Sequence, residues 1–434
     1  MGFDAIIVGA RCAGSPTAML LARKGYKVLL VDRAAFPSDT MSTHYIHQPG
    51  IARLARWGLL DRVAALDCPP ISQAKLDAGS FVLTGSTTAE AGGGGDAYAP
   101  RRALLDRILS AAAVEAGAEL RQDFSVEDVL TDGARVTGVR GRDRSGATVT
   151  ERAPIVVGAD GLHSVVARSV KAAVYKAKPA ATCAYYSYWS GVPLEHAEVY
   201  LRPRRVVGAW PTNDGLTVVY VAAPRSEFGK FRADVEAYYR DTISQLPGLG
   251  ERVRDGRRVE RFSGTADLPN FFRKPYGAGW ALVGDAGYHR DPITAQGITD
   301  AFRDAELLAG AIDDGLGGRQ PMEAALAGYE RRRNRAVRAM YWFTCYFAAH
   351  LVPPGGLRLL QSLRGSQPET NRLFATLAGS VPVADFFSPI HLLRLAMSGY
   401  LTPGAKAVQT PGRKTIAPGA ADDAGRRGER MAER

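Results

Sequence analysis

The sequence predicts an α/β protein. It should hold a parallel sheet wound with helices and built from discontinuous pieces, an inserted, mainly antiparallel β domain, and a helical C-terminal region. Three observations predict it. Short apolar strands, each followed by a glycine-bearing turn, recur far apart, at 5–8, 154–158 and 280–283. Between the last two, over 181–223, strand patterns dominate and aromatic residues are frequent. From about Gly297 the pattern turns helical.

The first strand, Ala5–Val8, is an isoleucine-rich run of the kind a fully covered parallel strand needs. A helix over 15–24 follows, with Ala18, Leu21 and Ala22 on one face, Pro16 in its first turn and Gly25 ending it. Residues 27–31 are the second strand, and 50–66 reads as one helix. Residues 80–83 are strand-like, and a glycine loop spans 92–95. An amphipathic helix over 102–116 places Leu105, Ile108, Leu109 and Ala112 on one side. Asp132-Gly133 and Ser145-Gly146 turns divide 118–151 into a small antiparallel meander. The apolar run 339–352 is too short to span a bilayer and reads as a docked helix. The tail from Thr410 has no apolar period and is expected to be disordered.

The composition, 46% hydrophobic and 23% charged, is that of an ordinary globular chain. The four cysteines are scattered singly, so neither a zinc ribbon nor a redox dithiol is signalled, and the usage fits the cytoplasm. No helical histidine pair suggests a metal. The net charge of +11 is spread along the chain, which argues against a nucleic-acid partner. The one cluster, Arg331, Arg332, Arg333 and Arg335, reads as the solvated face of a helix.

Three motifs carry chemistry. Gly9-Ala10-Arg11-Cys12-Ala13-Gly14 joins a strand to a helix: Gly9 permits the tight turn, and Gly14 lets the helix begin close to a pyrophosphate. Asp32, at the end of the next strand, is placed to accept a hydrogen bond from an adenosine ribose. Arg11 stands where glycine is usual; it either adds charge to the phosphate site or points away, and the second reading is favoured because backbone N–H groups already serve phosphates. The second motif is Gly158-Ala159-Asp160-Gly161. The third is Gly284-Asp285-Ala286-Gly287, then Asp291-Pro292, Ala295-Gln296-Gly297, Asp300-Ala301 and Asp304-Ala305: a strand, an aspartate at its tip, a proline-fixed loop and a helix.

In this order and spacing the motifs resemble the FAD-dependent monooxygenase superfamily with the para-hydroxybenzoate hydroxylase fold, whose relatives include geranylgeranyl reductases and flavin-dependent halogenases. The resemblance implies a Rossmann-type FAD-binding domain over 1–70, 98–178 and 272–335, a substrate-binding β-sheet domain over 71–97 and 179–271, a helical region over 336–408, and a disordered tail over 409–434. It implies FAD held by Gly9, Gly14, Asp32, Arg33, Arg102, Asp160, Gly161, Gly284, Asp285, Pro292, Gln296, Gly297 and Ile298. It implies NADPH or NADH as reductant, and O2 with a small organic, aromatic or polyketide-like molecule as substrates. No integral membrane span is expected, and a homodimer is allowed. His44 and Pro292 are the candidate catalytic residues, with His47 near by, and Tyr185, Tyr186, Tyr188, Trp189 and Trp210 are candidates to line the substrate chamber. Gly287-Tyr288, Ala295 and Thr299 depart from the family pattern in the segment beside the flavin ring. Halogenase chemistry calls for Trp-x-Trp-x-Ile-Pro, whereas 206–211 runs to Trp210-Pro211 without that motif. A reductase of isoprenoid double bonds and a non-catalytic flavin-binding module stay open as alternatives. Monooxygenation is favoured, because the resemblance as a whole leans to the hydroxylases; in support, no cysteine stands near the flavin loop in sequence to act as a reductase's proton donor.

Overall fold

The computed structural model describes residues 2–87 and 95–401. The tail over 409–434 and most of the 92–95 loop lie outside the described residues.

The chain opens with β1 (Ala5–Val8), α1 (Gly14–Ala22) and β2 (Val28–Val31), both strands buried along their whole length. Next come α2 (Gln48–Arg56) and α3 (Leu60–Ala64). The single helix expected over 50–66 is two, because Gly58 takes φ +75° and the Leu59 N–H turns back onto the Leu54 carbonyl. A hairpin follows, β3 (Gln73–Asp77) and β4 (Val82–Ser86), then α4 (Arg102–Glu115) and β5 (Glu119–Arg121). The meander is β6 (Ser125–Asp132), β7 (Arg135–Arg142) and β8 (Thr148–Arg152). It starts later than expected, since β5 leaves it to pair in parallel with β2.

Then come β9 (Ile155–Gly158), α5 (Val165–Ser169), β10 (Val174–Lys178), β11 (Thr182–Ser190), β12 (Ala197–Arg202), β13 (Arg205–Pro211) and β14 (Thr217–Pro224). Helices α6 (Phe228–Ala233), α7 (Val235–Ser244) and α8 (Leu249–Asp255) precede the short strands β15 (Arg257–Arg258), β16 (Ser263–Thr265), β17 (Asn270–Arg273), β18 (Tyr276–Gly277), β19 (Trp280–Leu282) and β20 (Tyr288–His289). The chain continues through α9 (Gly297–Leu316), α10 (Met322–His350), α11 (Gly356–Ser362), α12 (Gln367–Leu377), α13 (Val383–Phe386) and α14 (Pro389–Leu401). Helix α10 runs unbroken across residue 335, so the boundary expected there is not a break in the chain.

The six-stranded sheet has the order β18-β19-β9-β1-β2-β5, parallel except at its β18 edge. It joins strands from three distant parts of the chain, as the α/β reading requires. An eight-stranded, mainly antiparallel sheet holds β11 to β14 with the β3–β4 hairpin at one edge. Because side chains alternate along a strand, its two faces bury different sets. Tyr186, Tyr188, Trp210 and Tyr220 face a core closed by Leu351, Leu373, Phe374, Phe386 and Leu395 of the C-terminal region. Cys183, Tyr185 and Trp189 face the other way, onto Phe231, Tyr239 and Leu249 of α6–α8. Tyr185 and Trp189 therefore cannot line a chamber on the inner face with the other three aromatics; the period of two separates them.

Candidate cofactor and substrate site

Register brings the three motifs together. Val8 is paired with Gly158, and Gly158 with Leu282, so the three glycine turns leave the sheet side by side at the carboxyl ends of β1, β9 and β19. In open α/β sheets this edge is where ligands bind. Gly9 has φ +102°, and a Cβ there would lie 2.5 Å from the Ala159 carbonyl oxygen; at Gly14 it would lie 1.7 Å from the Gly9 oxygen. No other residue fits either position. Gly284, at φ +61°, passes so close to Ala13 that a Cβ would sit 2.8 Å from its methyl.

Each aspartate of the motifs has a structural duty. Asp32 Oδ2 accepts from the Ala10 N–H at 2.7 Å and Oδ1 from the Ala34 N–H at 2.9 Å, tying the glycine turn to the end of β2. Arg33 beside it is exposed. Asp160 accepts from the Val165 N–H at 2.6 Å and so caps α5, while its Oδ1 is buried without a partner; burial raises its pKa. Gly161 has φ +77° and open space where a Cβ would be. Asp285 stands exposed at the tip of β19.

Arg102, at the start of α4, is buried and spends Nε and Nη2 on Asp106, at 3.1 and 3.0 Å. Burial opposes its charge, but Asp106 outweighs that, with Cys12 and Asp285 adding to it, and the guanidinium stays firmly protonated. Arg11 does not point freely into solvent: its side chain, 23% exposed, pairs with Asp106 at 2.7 Å and donates to Ser38. Cys12 Sγ lies 3.4 Å from the same carboxylate, and burial pushes its thiol far up. This four-residue knot was not legible in the sequence, where Asp106 is one acid among others in a helix.

Pro292 opens a single helical turn, Pro292–Thr294, capped by Asp291, whose Oδ1 accepts from the Ile293 N–H at 3.0 Å. Ala295 takes φ +51°, and Gln296 donates to the Leu377 carbonyl at 2.7 Å, pinning the C-terminal region here. Gly297 is then the exposed first residue of α9, with nothing within 4 Å of where a Cβ would be, and Ile298 turns into the core. The helix N-terminus thus presents backbone N–H groups to this edge. Thr299 is engaged elsewhere, its Oγ1 accepting the His47 N–H at 3.1 Å.

Below α9 lies a buried charge cluster. Burial works against the Asp300 charge, but Arg290 and Arg303 outweigh it and hold its carboxyl below the usual range. Arg333, expected on a solvated face, is buried: it shares a face with Tyr329 and Val337 and donates to the Gly287 carbonyl at 3.3 Å. Periodicity could have shown it, because Arg333 lies one turn from each of those core residues.

The 42–47 loop links this edge to the inner face of the eight-stranded sheet. The Thr43 carbonyl accepts from Trp210 Nε1 at 3.1 Å, and the Ser42 N–H donates to Tyr186 Oη at 3.3 Å. His44, held at φ +61°, is fully buried with its Nε2 on Tyr188 Oη and its Nδ1 without a partner. His47 Nε2 meets the Thr294 carbonyl at 3.2 Å. Burial pushes the His44 pKa down to about 3 and that of His47 to about 4, so both are neutral near pH 7. Of the cysteines, Cys12 packs in the cofactor domain and Cys68 bonds the backbone of Ala99, at the border of the inner-face core, while Cys183 and Cys345 come close enough to Asp291 to feel its charge, although they are distant from it in sequence.

Comparison with known proteins agrees with this geometry. The FAD binding domain family matches residues 3–344. The digeranylgeranylglycerophospholipid reductase of Methanosarcina mazei is 29% identical over 325 residues, covering 71% of this chain and 74% of that protein. The enzyme of the same name from Methanothrix thermoacetophila is 26% identical over 348 residues, 78% of this chain and 84% of that protein. Among solved structures, the flavin-dependent brominase Bmp2 superposes with a TM-score of 0.76 at 21% identity over 92% of this chain and 99% of its own. PqsL, a probable FAD-dependent monooxygenase from Pseudomonas aeruginosa, gives 0.71 at 22% identity over 87% and 99%. The structural likenesses speak for the fold; with the family match over most of the chain, they lead to one conclusion: the chain belongs to the FAD binding domain family, and is an FAD-dependent oxidoreductase by descent.

Proposed function

We propose that the chain is an NAD(P)H-dependent FAD monooxygenase acting on a small, mainly apolar organic molecule. The observation that carries this reading is the aromatic inner face of the eight-stranded sheet, closed by the C-terminal helices and joined to the strand tips through His44 and Trp210. FAD supplies the redox chemistry. Gly9 and Gly14 would admit its pyrophosphate to the N-terminus of α1, Asp32 with Arg33 would meet the adenosine, and Arg102 would neutralise phosphate charge. Asp285 would hold the ribityl hydroxyls. Pro292, Gln296, Gly297 and Ile298 would stand beside the flavin ring, with Asp160, Gly161 and Gly284 shaping the cleft. The cradle fits that cofactor: two glycines that tolerate no Cβ face an exposed aspartate and a buried arginine across the same edge.

The overall reaction consumes NAD(P)H, a proton, O2 and substrate, and yields NAD(P)+, water and a product with one added oxygen atom. The chain's part is to orient the substrate and exclude water, which a covered aromatic wall does. His44, neutral near pH 7, and Tyr188 offer a hydrogen-bonding pair at that wall, with the Arg101 guanidinium 4.7 Å from the Tyr188 ring centre.

One observation favours a second reading, reduction of an isoprenoid double bond: the Methanosarcina and Methanothrix relatives are reductases by name. Turnover of the yellow protein with NADH or NADPH under labelled oxygen separates the two. Monooxygenation puts one labelled atom in the product. An unlabelled, saturated product formed equally well without oxygen makes the enzyme a reductase.

A further inference from the structure

Helix α14 has a buried side and, opposite it, an exposed apolar side. His391 and Leu395, one turn apart, are buried, and Leu395 joins the inner-face core with Phe386 just before the helix. Ile390, Leu393 and Met397, spaced i, i+3, i+7, stand on the other side at 77%, 60% and 53% exposure. Leu357, 40% exposed, lies on α11, which packs against α14. Apolar side chains gathered on one helix face mark a docking surface more often than ordinary protein exterior.

Residues 402–434 are poorly suited to cover this face. Their large apolar residues are Val408, Ile416 and Met431, too far apart to form a matching stripe. The surroundings are basic on balance, although exposed Asp385 lies on α13, which packs against α14. Exposed Arg358 and Arg364 lie on and just after α11, and residues 402–434 carry seven Lys and Arg against four Asp and Glu. A second copy would bring the same positive charge to the contact. An anionic surface would be attracted by it.

We infer that α14 docks the protein onto an anionic lipid membrane. The helix lies in the plane of the surface, with Ile390, Leu393 and Met397 in the acyl boundary and the arginines among the headgroups. Among the described residues no helix is long and apolar enough to cross a membrane, so the attachment is peripheral. The inner side of α14, through Leu395, then holds the inner-face core beside the lipid. The docking itself does not depend on the proposed reaction.

The test is co-sedimentation of the full-length, FAD-loaded protein with vesicles of phosphatidylcholine mixed with phosphatidylglycerol, and with vesicles of phosphatidylcholine alone. Binding to the mixed vesicles, weakened by salt, is the expected result. The triple variant Ile390→Gln, Leu393→Gln, Met397→Gln should bind roughly tenfold less or weaker still, because three apolar side chains no longer leave water. Its FAD content and melting temperature should be unchanged. Met397→Leu, which keeps the face apolar, should bind like the parent. The inference is overturned by no vesicle binding, by equal binding of the triple variant or of neutral vesicles, or by a concentration-dependent dimer in lipid-free solution that the triple variant abolishes. Turnover is not measured, so a failed monooxygenase reading leaves this result intact.

Discussion

Asp285 and Arg102 approach the strand tips from different parts of the chain, one exposed and the other locked to Asp106. If Asp285 holds the ribityl hydroxyls, Asp285→Ala deletes charged hydrogen bonds worth about 1.5–3 kcal/mol each. Titration of the apo-protein should then show FAD affinity lower by roughly ten- to a hundredfold; an unchanged affinity places Asp285 elsewhere. Arg11 calls for a different expectation, because its ion pair with Asp106 is partly exposed and Arg102 still satisfies that carboxylate. Arg11→Gly should lower unfolding stability by about 1 kcal/mol and leave FAD affinity within about threefold. A larger loss of affinity would put Arg11 on the pyrophosphate. His44 and His47 make stability depend on pH. Their folded pKa values lie below the unfolded one, so the unfolded chain binds protons first as pH falls. The stability they allow is present above about pH 6.5 and drains away as pH falls, to about pH 4 for His47 and about pH 3 for His44, on the order of 2 kcal/mol for each histidine at pH 5. Denaturant melts at pH 7.5 and pH 5 should show this fall, and it should shrink in His47→Gln.

Among the elements, β11 shows both the reach and the limit of reading the sequence. Its alternation of Cys183, Tyr185 and Trp189 with Tyr186 and Tyr188 is visible in the residues, yet both sets are apolar and aromatic, so nothing local tells which face meets the cofactor domain. That is fixed only by the 42–47 loop and the C-terminal helices that cover one side. The strand pair gives a test. Tyr188→Phe, which strips the hydroxyl from His44, should reduce kcat by roughly tenfold or more while the flavin spectrum stays normal. Tyr185→Phe, on the far face, should leave kcat within about twofold. Equal effects would mean that the face assignment has no bearing on catalysis. The parallel strands and glycine turns were legible because full burial and positive φ each restrict the residues allowed. The break at Gly58 and the departure of β5 were not, since each depends on a partner distant in sequence or on a backbone turn that many residue patterns precede.

At the scale of the whole molecule, the central sheet has an unusual order of assembly. β1 lies between β2 and β9, and β9 between β1 and β19, so each further neighbour on that side comes from far along the chain. During synthesis the Ala5–Val8 and Val28–Val31 runs leave the ribosome at once, but their sheet cannot be completed until Trp280–Leu282 has followed. At typical elongation rates that delay is on the order of tens of seconds. Until Ile155–Gly158 follows, β1 has no native neighbour on one side, and from then until Trp280–Leu282 the open edge is that of β9, the state most prone to mispairing with other nascent chains. The same join that gathers three glycine turns at one edge therefore sets a kinetic hazard. Yield should rise with slower, cooler expression or added chaperone, and a chain cut short before residue 280 should be recovered mainly as aggregate.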